Sequence, residues 1–234
     1  MRTINPKWIL LAVLALVAPI SASERTGVLL KDTPEIKKTQ DTVMKLLNSG
    51  NKKHVANHSR RDGLARVMIV SCADSRVPPE TVFHLQPGEI FTTRAFGNVA
   101  DQEILASLEF GAETLGCRVL VVLGHTNCTA LKRAIAEHGH PRVEWNSLNQ
   151  EALYKQLEPA VSEVVQSQKV AKAQTGKELE GDALLDAVVR VNVLSTMHKI
   201  REQSPRLWEL EQTDVLKIVG AIYHIETGKV EWLK

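Results

Sequence analysis

The chain has 234 residues, 44% of them hydrophobic and 24% charged. That is about one usual domain plus a processed segment, and it excludes both a disordered chain and a multispan membrane protein. Two of the 29 basic residues, Arg2 and Lys7, precede Ser23, where no acidic residue occurs. The remainder is balanced at 27 basic to 27 acidic, so nucleic acid, which needs a basic excess, is not an expected partner. Three cysteines are too few for a disulfide framework in a chain of this length.

Arg2 and Lys7 lead into an apolar run from Trp8 to Ile20, followed at once by the small residues Ser21, Ala22 and Ser23. The run is shorter than the ~20 residues of a bilayer-spanning helix. Basic, apolar, small is the order of a secretory signal peptide. The expectation is therefore a leader at 1–23, a single domain at 24–234, export to the periplasm and no stable membrane span after processing. In such an oxidising compartment an odd number of cysteines leaves a thiol over, unless a metal holds some of them.

Pro34 suits the first turn of a helix. Ile36, Val43, Leu46 and Leu47 continue at helical spacing until Asn48-Ser49-Gly50-Asn51, where the helix is expected to stop. Val67–Val70, Ile90–Thr93 and Val119–Leu123 are short β-rich apolar runs bounded by turn or polar residues, as buried strands are. Between the last two, Asp101 to Leu115 places Ile104, Leu105, Leu108 and Leu115 on one helical face and ends at Gly116. Asn149 to Gln203 reads as helix interrupted near Gly176 and Gly181, Leu216–Ile225 as a strand, and Val230–Leu233 as a last short strand after a Thr227-Gly228-Lys229 turn. The alternation implies an α/β fold: a mostly parallel sheet flanked by helices on both faces, its site beyond the carboxyl ends of strands, with an N-terminal helical arm.

Two loops carry the chemistry. Cys72-Ala73-Asp74-Ser75-Arg76 follows the first strand directly, and Gly124-His125-Thr126-Asn127-Cys128 follows the third and opens a helix. Two thiolates and one imidazole match a catalytic zinc with an open fourth position, and soft S,N donors argue against magnesium or calcium. The spacing alone is a weak signal, better matched by ordinary core cysteines and a capping histidine.

Together the loops resemble the two signature loops of the β-class carbonic anhydrases. Val77-Pro78-Pro79-Glu80, Pro87-Gly88-Glu89-Ile90-Phe91, Gly97-Asn98, Ser107-Leu108-Glu109-Phe110, Ser204-Pro205 and Val219-Gly220-Ala221-Ile222-Tyr223 are similar to that family's pattern in the same order. The resemblance implies a β-carbonic anhydrase-like fold and zinc on Cys72, His125 and Cys128. It further implies reversible hydration of carbon dioxide to bicarbonate and a proton by zinc-bound hydroxide. Asp74, held by Arg76, would orient the nucleophile. In some members this Asp moves onto the metal, so Asp74 is also a possible fourth ligand. By the same alignment Phe91, Phe96 and Phe110 would line an apolar substrate pocket, partly across the interface of a homodimer or homotetramer. Cys117 matches no ligand position and reads as a small buried hydrophobe.

The pattern is not complete. Thr129 stands where members usually carry Gly, and Phe96 adds bulk within Arg94-Ala95-Phe96-Gly97-Asn98. A Gln common nine residues before the first Cys is replaced, by ungapped count, by Gly63. These departures keep two alternatives open: a non-catalytic zinc-binding module, or a hydrolase of carbon disulfide or carbonyl sulfide. Ile69 replaces the Trp of members gated by a non-catalytic bicarbonate site, so no such gating is expected. His54, His58 and His84 are at no motif position and read as solvated surface histidines.

Overall fold

The computed structural model describes residues 34–56, 65–139, 147–176 and 178–233. The expected leader, His58 and Gly63 lie outside them. The chain divides into two compact units, residues 1–59 and 60–234.

In the first unit, helix α1 (Pro34–Ala56) runs through the Asn48–Asn51 stretch expected to end it. Asn48 stays in the helix by donating its side-chain amide to the Met44 carbonyl at 2.9 Å. Gly50 meets nothing within 4 Å and costs the helix only about 1 kcal/mol relative to alanine. Lys53 and His54 in the last turn favour continuation by lying at the negative end of the helix dipole. Val43, Met44, Leu46, Leu47 and Val55 of α1 are all exposed.

The second unit is built on five strands: β1 (Val67–Cys72), β2 (Ile90–Ala95), β3 (Val119–His125), β4 (Lys217–His224) and β5 (Lys229–Trp232). They lie in the order β2-β1-β3-β4-β5. The first four are parallel and β5 turns back antiparallel on β4. Between them come α2 (Pro79–Val82), α3 (Gln102–Glu113), α4 (Thr129–Glu137), α5 (Leu148–Thr175), α6 (Gly181–Gln203) and α7 (Pro205–Gln212). The helix expected over Asp101–Leu115 is α3, and Asp101 is its cap, accepting from the Ile104 amide at 3.0 Å. The long helical stretch is broken between α5 and α6, where Gly176 takes a left-handed φ of 71° at the C-cap. The single-turn α2 and the short α7, capped by Ser204 with Pro205 in its first turn, have no counterpart in the sequence reading.

Strand side chains alternate between two unequal faces. Met68 and Val70 of β1 with Leu120 and Val122 of β3 join a core completed by Leu105 and Leu108 of α3, Val193 and Ile200 of α6, and Leu207 of α7. A second core joins Cys72 and Cys128 to Leu131 of α4, Val161 of α5 and Val188 of α6. Each fully buried Leu or Val there stabilises the fold by roughly 1.5–3 kcal/mol. Ile69, Val121 and Leu123 turn the other way, against Val82 and Phe83 at the short α2. The expected helical cover is thus thick on one face and, among the described residues of this unit, a single turn on the other. Cys117 is fully buried in the first core, its thiol donating to the Ala65 carbonyl at 3.2 Å.

Candidate metal centre

From β1 the chain crosses to β2 on one side, and from β3 to β4 on the other. The carboxyl ends of β1 and β3 therefore flank the point where the winding reverses, the crevice in which open α/β sheets hold their ligands. Cys72 is the last residue of β1 and His125 the last of β3. Three residues on, Cys128 is the N-cap of α4. The intervening Asn127 takes a left-handed φ of 58°, a conformation Asn tolerates better than most residues.

One ligand atom from each of Cys72, His125 and Cys128 lies within 4.8 Å of the other two, and all three residues are buried. The imidazole is committed on one side only. Its Nδ1 lies 2.9 Å from the Thr126 carbonyl, which can only accept, so Nδ1 carries the hydrogen. Nε2 is then a bare acceptor, buried and without a hydrogen-bond partner. An orphaned buried acceptor costs roughly 1–3 kcal/mol, and beside two thiols it is explained as a metal ligand of the soft N,S type that zinc takes. The two thiols titrate as a pair. Hydrogen bonding from Cys128 drives the Cys72 thiol well below the usual range, and that same bond, with burial, pushes Cys128 above it. A divalent cation favours both thiolates.

The surrounding backbone is pinned. The Gly97 amide donates to Cys72 Sγ at 3.3 Å. Gly97 has φ 88°, and a Cβ there would come within 2.7 Å of Leu157. Its carbonyl accepts from the buried Asn192 of α6 at 2.9 Å. Arg94 ties the first loop from beneath, donating to the Cys72 carbonyl at 2.9 Å and the Asp74 carbonyl at 2.6 Å. Arg94 lay in a stretch noted for its bulk, and Asn192 is a polar residue in the apolar run Val191–Val193. Their partners, more than 20 and about 95 residues away along the chain, left no sequence signal of these roles.

Asp74 lies outside the cluster of ligand atoms. Arg76 grips its carboxylate in a two-pronged bond, and this guanidinium holds Asp74 far below the usual carboxylate range. Arg76 also donates to the Asn127 carbonyl at 3.1 Å, tying the first motif loop to the second. The three phenylalanines do not converge within one chain. Phe91 packs against the first core. Phe96 is 39% exposed and lines a cavity of about 420 Å³ with Thr129, Arg133 and Tyr154. Phe110, on α3, is 51% exposed.

A family model described as carbonic anhydrase matches residues 67–230, from the first residue of β1 into β5. The chain belongs to the carbonic anhydrase family. A carbonic anhydrase of Pseudomonas aeruginosa is 31% identical over 176 residues, covering 72% of this chain and 73% of that one. Carbonic anhydrase 2 of Mycobacterium tuberculosis is 29% identical, covering 79% and 88%. A β-carbonic anhydrase of Aspergillus fumigatus superposes with a TM-score of 0.56 at 25% identity, over 75% of this chain and 92% of that one. A tetrameric β-carbonic anhydrase of Sordaria macrospora gives a TM-score of 0.62 at 17% identity, over 87% and 98%, a likeness of fold. The fold is thus that of a β-class carbonic anhydrase, and the Cys72, His125, Cys128 cluster is compatible with metal binding.

Proposed function

We infer that this carbonic anhydrase interconverts carbon dioxide and bicarbonate with zinc held by Cys72, His125 and Cys128. The observation that carries the reading is the unpartnered, buried Nε2 of His125 within reach of two buried thiols. When bound, zinc lowers the pKa of a water at its open position to about 7, making a nucleophile available near neutrality. Asp74 contributes orientation. Oδ1 accepts from both the backbone N–H and Nε of Arg76, whereas Oδ2 accepts only from Nη2 and keeps a lone pair, so Oδ2 accepts a hydrogen bond from the attacking water and turns the water's own lone pair toward the substrate carbon. Arg76 keeps Asp74 ionised and exchanges no proton itself. The substrate is uncharged and linear and needs apolar walls, which Phe96 and Phe110 supply at a subunit boundary. Stopped-flow hydration on protein of known zinc content tests the reading, and a rate equal to that of buffer alone overturns it.

Assembly as a homodimer or homotetramer is supported by the thinly covered sheet face. Val67, Val119 and Val219 are only part-buried there, and Trp232 of β5 is 55% exposed. Residues 1–23 are read as an export leader, and the mature protein as periplasmic, on Arg2, Lys7, the apolar run Trp8–Ile20 and the small residues after it. Among the described residues no helix is long and apolar enough to cross a membrane. N-terminal sequencing of protein recovered from the periplasm of an expressing bacterium should begin near Ser23 or Glu24; a chain still starting at Met1 overturns the leader.

A further inference from the structure

A cavity of about 530 Å³ lies between α5 and α6, and no ligand of the candidate metal centre lines it. Val99, Ala100, Pro159 and Leu194 give it apolar wall, while Gln156 of α5 and Ser195, Thr196 and Lys199 of α6 give it polar groups. Asn192 also borders it, but that side-chain amide is committed to the Gly97 carbonyl. The lysine is the reactive group here.

Lys199 is held by a neutral partner. Its Nζ donates to Gln156 Oε1 at 2.8 Å, a part-buried bond that links the two helices. Lys155 and Lys172, by contrast, pair with the carboxylates of Glu151 and Glu178. An amide oxygen repays the burial of an ammonium less well than a carboxylate does. Burial therefore pulls the Lys199 amine below its ordinary range, and the field of Asp101 offsets this only in part. The charged groups on the cavity wall are Glu163 of α5 and His198 and Glu202 of α6, and none of them bonds Nζ. More of this amine is thus uncharged near neutrality, and an uncharged amine is a nucleophile toward carbon dioxide.

We propose that Lys199 is a modification site for carbon dioxide, its amine forming a reversible carbamate inside this cavity. The ammonium first gives one proton to buffer. The nitrogen lone pair then bonds to the carbon of carbon dioxide while one carbon–oxygen π pair moves onto oxygen, and a second N–H proton leaves to buffer. One cationic side chain and one neutral molecule become a carbamate anion and two protons, so acid reverses the reaction. The apolar wall accommodates the uncharged, linear reactant. For the product, the Gln156 amide can turn to present its N–H, and the Ser195 and Thr196 hydroxyls can rotate to donate. Glu202, three residues along α6, opposes the new anion and limits its stability. No metal ligand takes part, so the adduct does not depend on turnover.

The test equilibrates full-length protein with carbon-13-labelled carbon dioxide and bicarbonate and observes the carbamate carbon by NMR. Alkylation with a trialkyloxonium salt then fixes the adduct as an ester, which peptide mass spectrometry locates. Occupancy is expected to be higher at Lys199 than at the exposed Lys169. The corresponding NMR signal should be lost in Lys199→Arg, which keeps the positive charge but has no amine to react. Gln156→Glu puts a carboxylate against Nζ, holds the ammonium charged, and should lower occupancy with the lysine still in place. At fixed dissolved carbon dioxide, occupancy should rise from about pH 6.5 to 8.5 as the ammonium gives up its proton. No adduct at Lys199, occupancy no higher than at Lys169, or occupancy unchanged by Gln156→Glu overturns the proposal. Because the extent is read at equilibrium, a protein without hydration activity overturns the catalytic reading alone.

Discussion

Arg76 and Asp74 form a closed fork, Nε on Oδ1 at 2.9 Å and Nη2 on Oδ2 at 2.7 Å. One residue, Ala73, separates this carboxylate from the candidate ligand Cys72. Asp74→Asn keeps the size but loses the charge, and its amide can present a donor where the nucleophile needs an acceptor. The variant should retain full zinc while kcat/KM falls by about a hundredfold. Arg76→Lys should also lose activity, since an ammonium cannot form the fork. Stopped-flow kinetics with metal analysis on the same samples checks both, and wild-type rates would remove the pair from the mechanism.

Cys72→Ser tests the metal assignment. A serine hydroxyl is not ionised near neutrality, whereas the Cys72 thiol is already biased toward thiolate by Cys128, His125 and the Gly97 amide. The variant should be purified with substoichiometric zinc. In wild type, chelation should lower the melting temperature, because zinc at a thousandfold excess over its Kd contributes about 4 kcal/mol to the folded state. Full zinc occupancy in Cys72→Ser would dismiss Cys72 as a ligand.

Local pattern carried most of the sheet. Apart from their first residues, Val67 and Val119, the runs Val-Met-Ile-Val of β1 and Val-Leu-Val-Val-Leu of β3 are buried, and such strands read as unbroken apolar runs. Cys72 and His125 were legible because each comes two residues after such a run, and Cys128 because it shares the second loop with His125. The length of α1 was not, since Asn48 and Gly50 are breakers by composition, yet one bonds back into the helix and the other is merely exposed. Nor were the roles of Arg94 and Asn192, whose meaning lies in partners on other elements: the Cys72 carbonyl and the Gly97 carbonyl.

Gly124 precedes His125 on β3 and lies under α6. A Cβ there would fall 2.6 Å from Val193 Cγ2 and 3.3 Å from Val189 Cγ1. Gly124→Ala must therefore push α6 away or displace the strand end that carries His125. Overpacking of this kind costs about 1–3 kcal/mol. Urea denaturation should show a lower midpoint with an unchanged slope, and an unchanged midpoint would show that α6 yields freely.

Light scattering on the mature protein should give at least twice the chain mass. Half-buried Val67, Val119 and Val219 need cover, and one self-complementary contact about a twofold axis would provide it for both copies. A stable monomer with full activity would show instead that neither the sheet face nor the exposed Phe96 and Phe110 requires a partner chain.

The Asp74 ion pair also sets a pH dependence of stability whose sign follows from proton binding. In the fold Asp74 is held far below its ordinary range, chiefly by its hydrogen bond with Arg76. In the unfolded chain it takes up a proton near pH 3.9. Below that value the unfolded state binds a proton that the folded state does not, so the pair's contribution is complete above about pH 5 and fades as pH falls toward the lowered folded value. Asn at position 74 cannot titrate. The stability difference between wild type and Asp74→Asn, measured by denaturant unfolding on metal-stripped samples, should therefore be constant from about pH 7 to 5 and shrink below about pH 4. A difference that is flat across the acid range would mean that Asp74 titrates alike in both states and that the fork with Arg76 does not persist in solution.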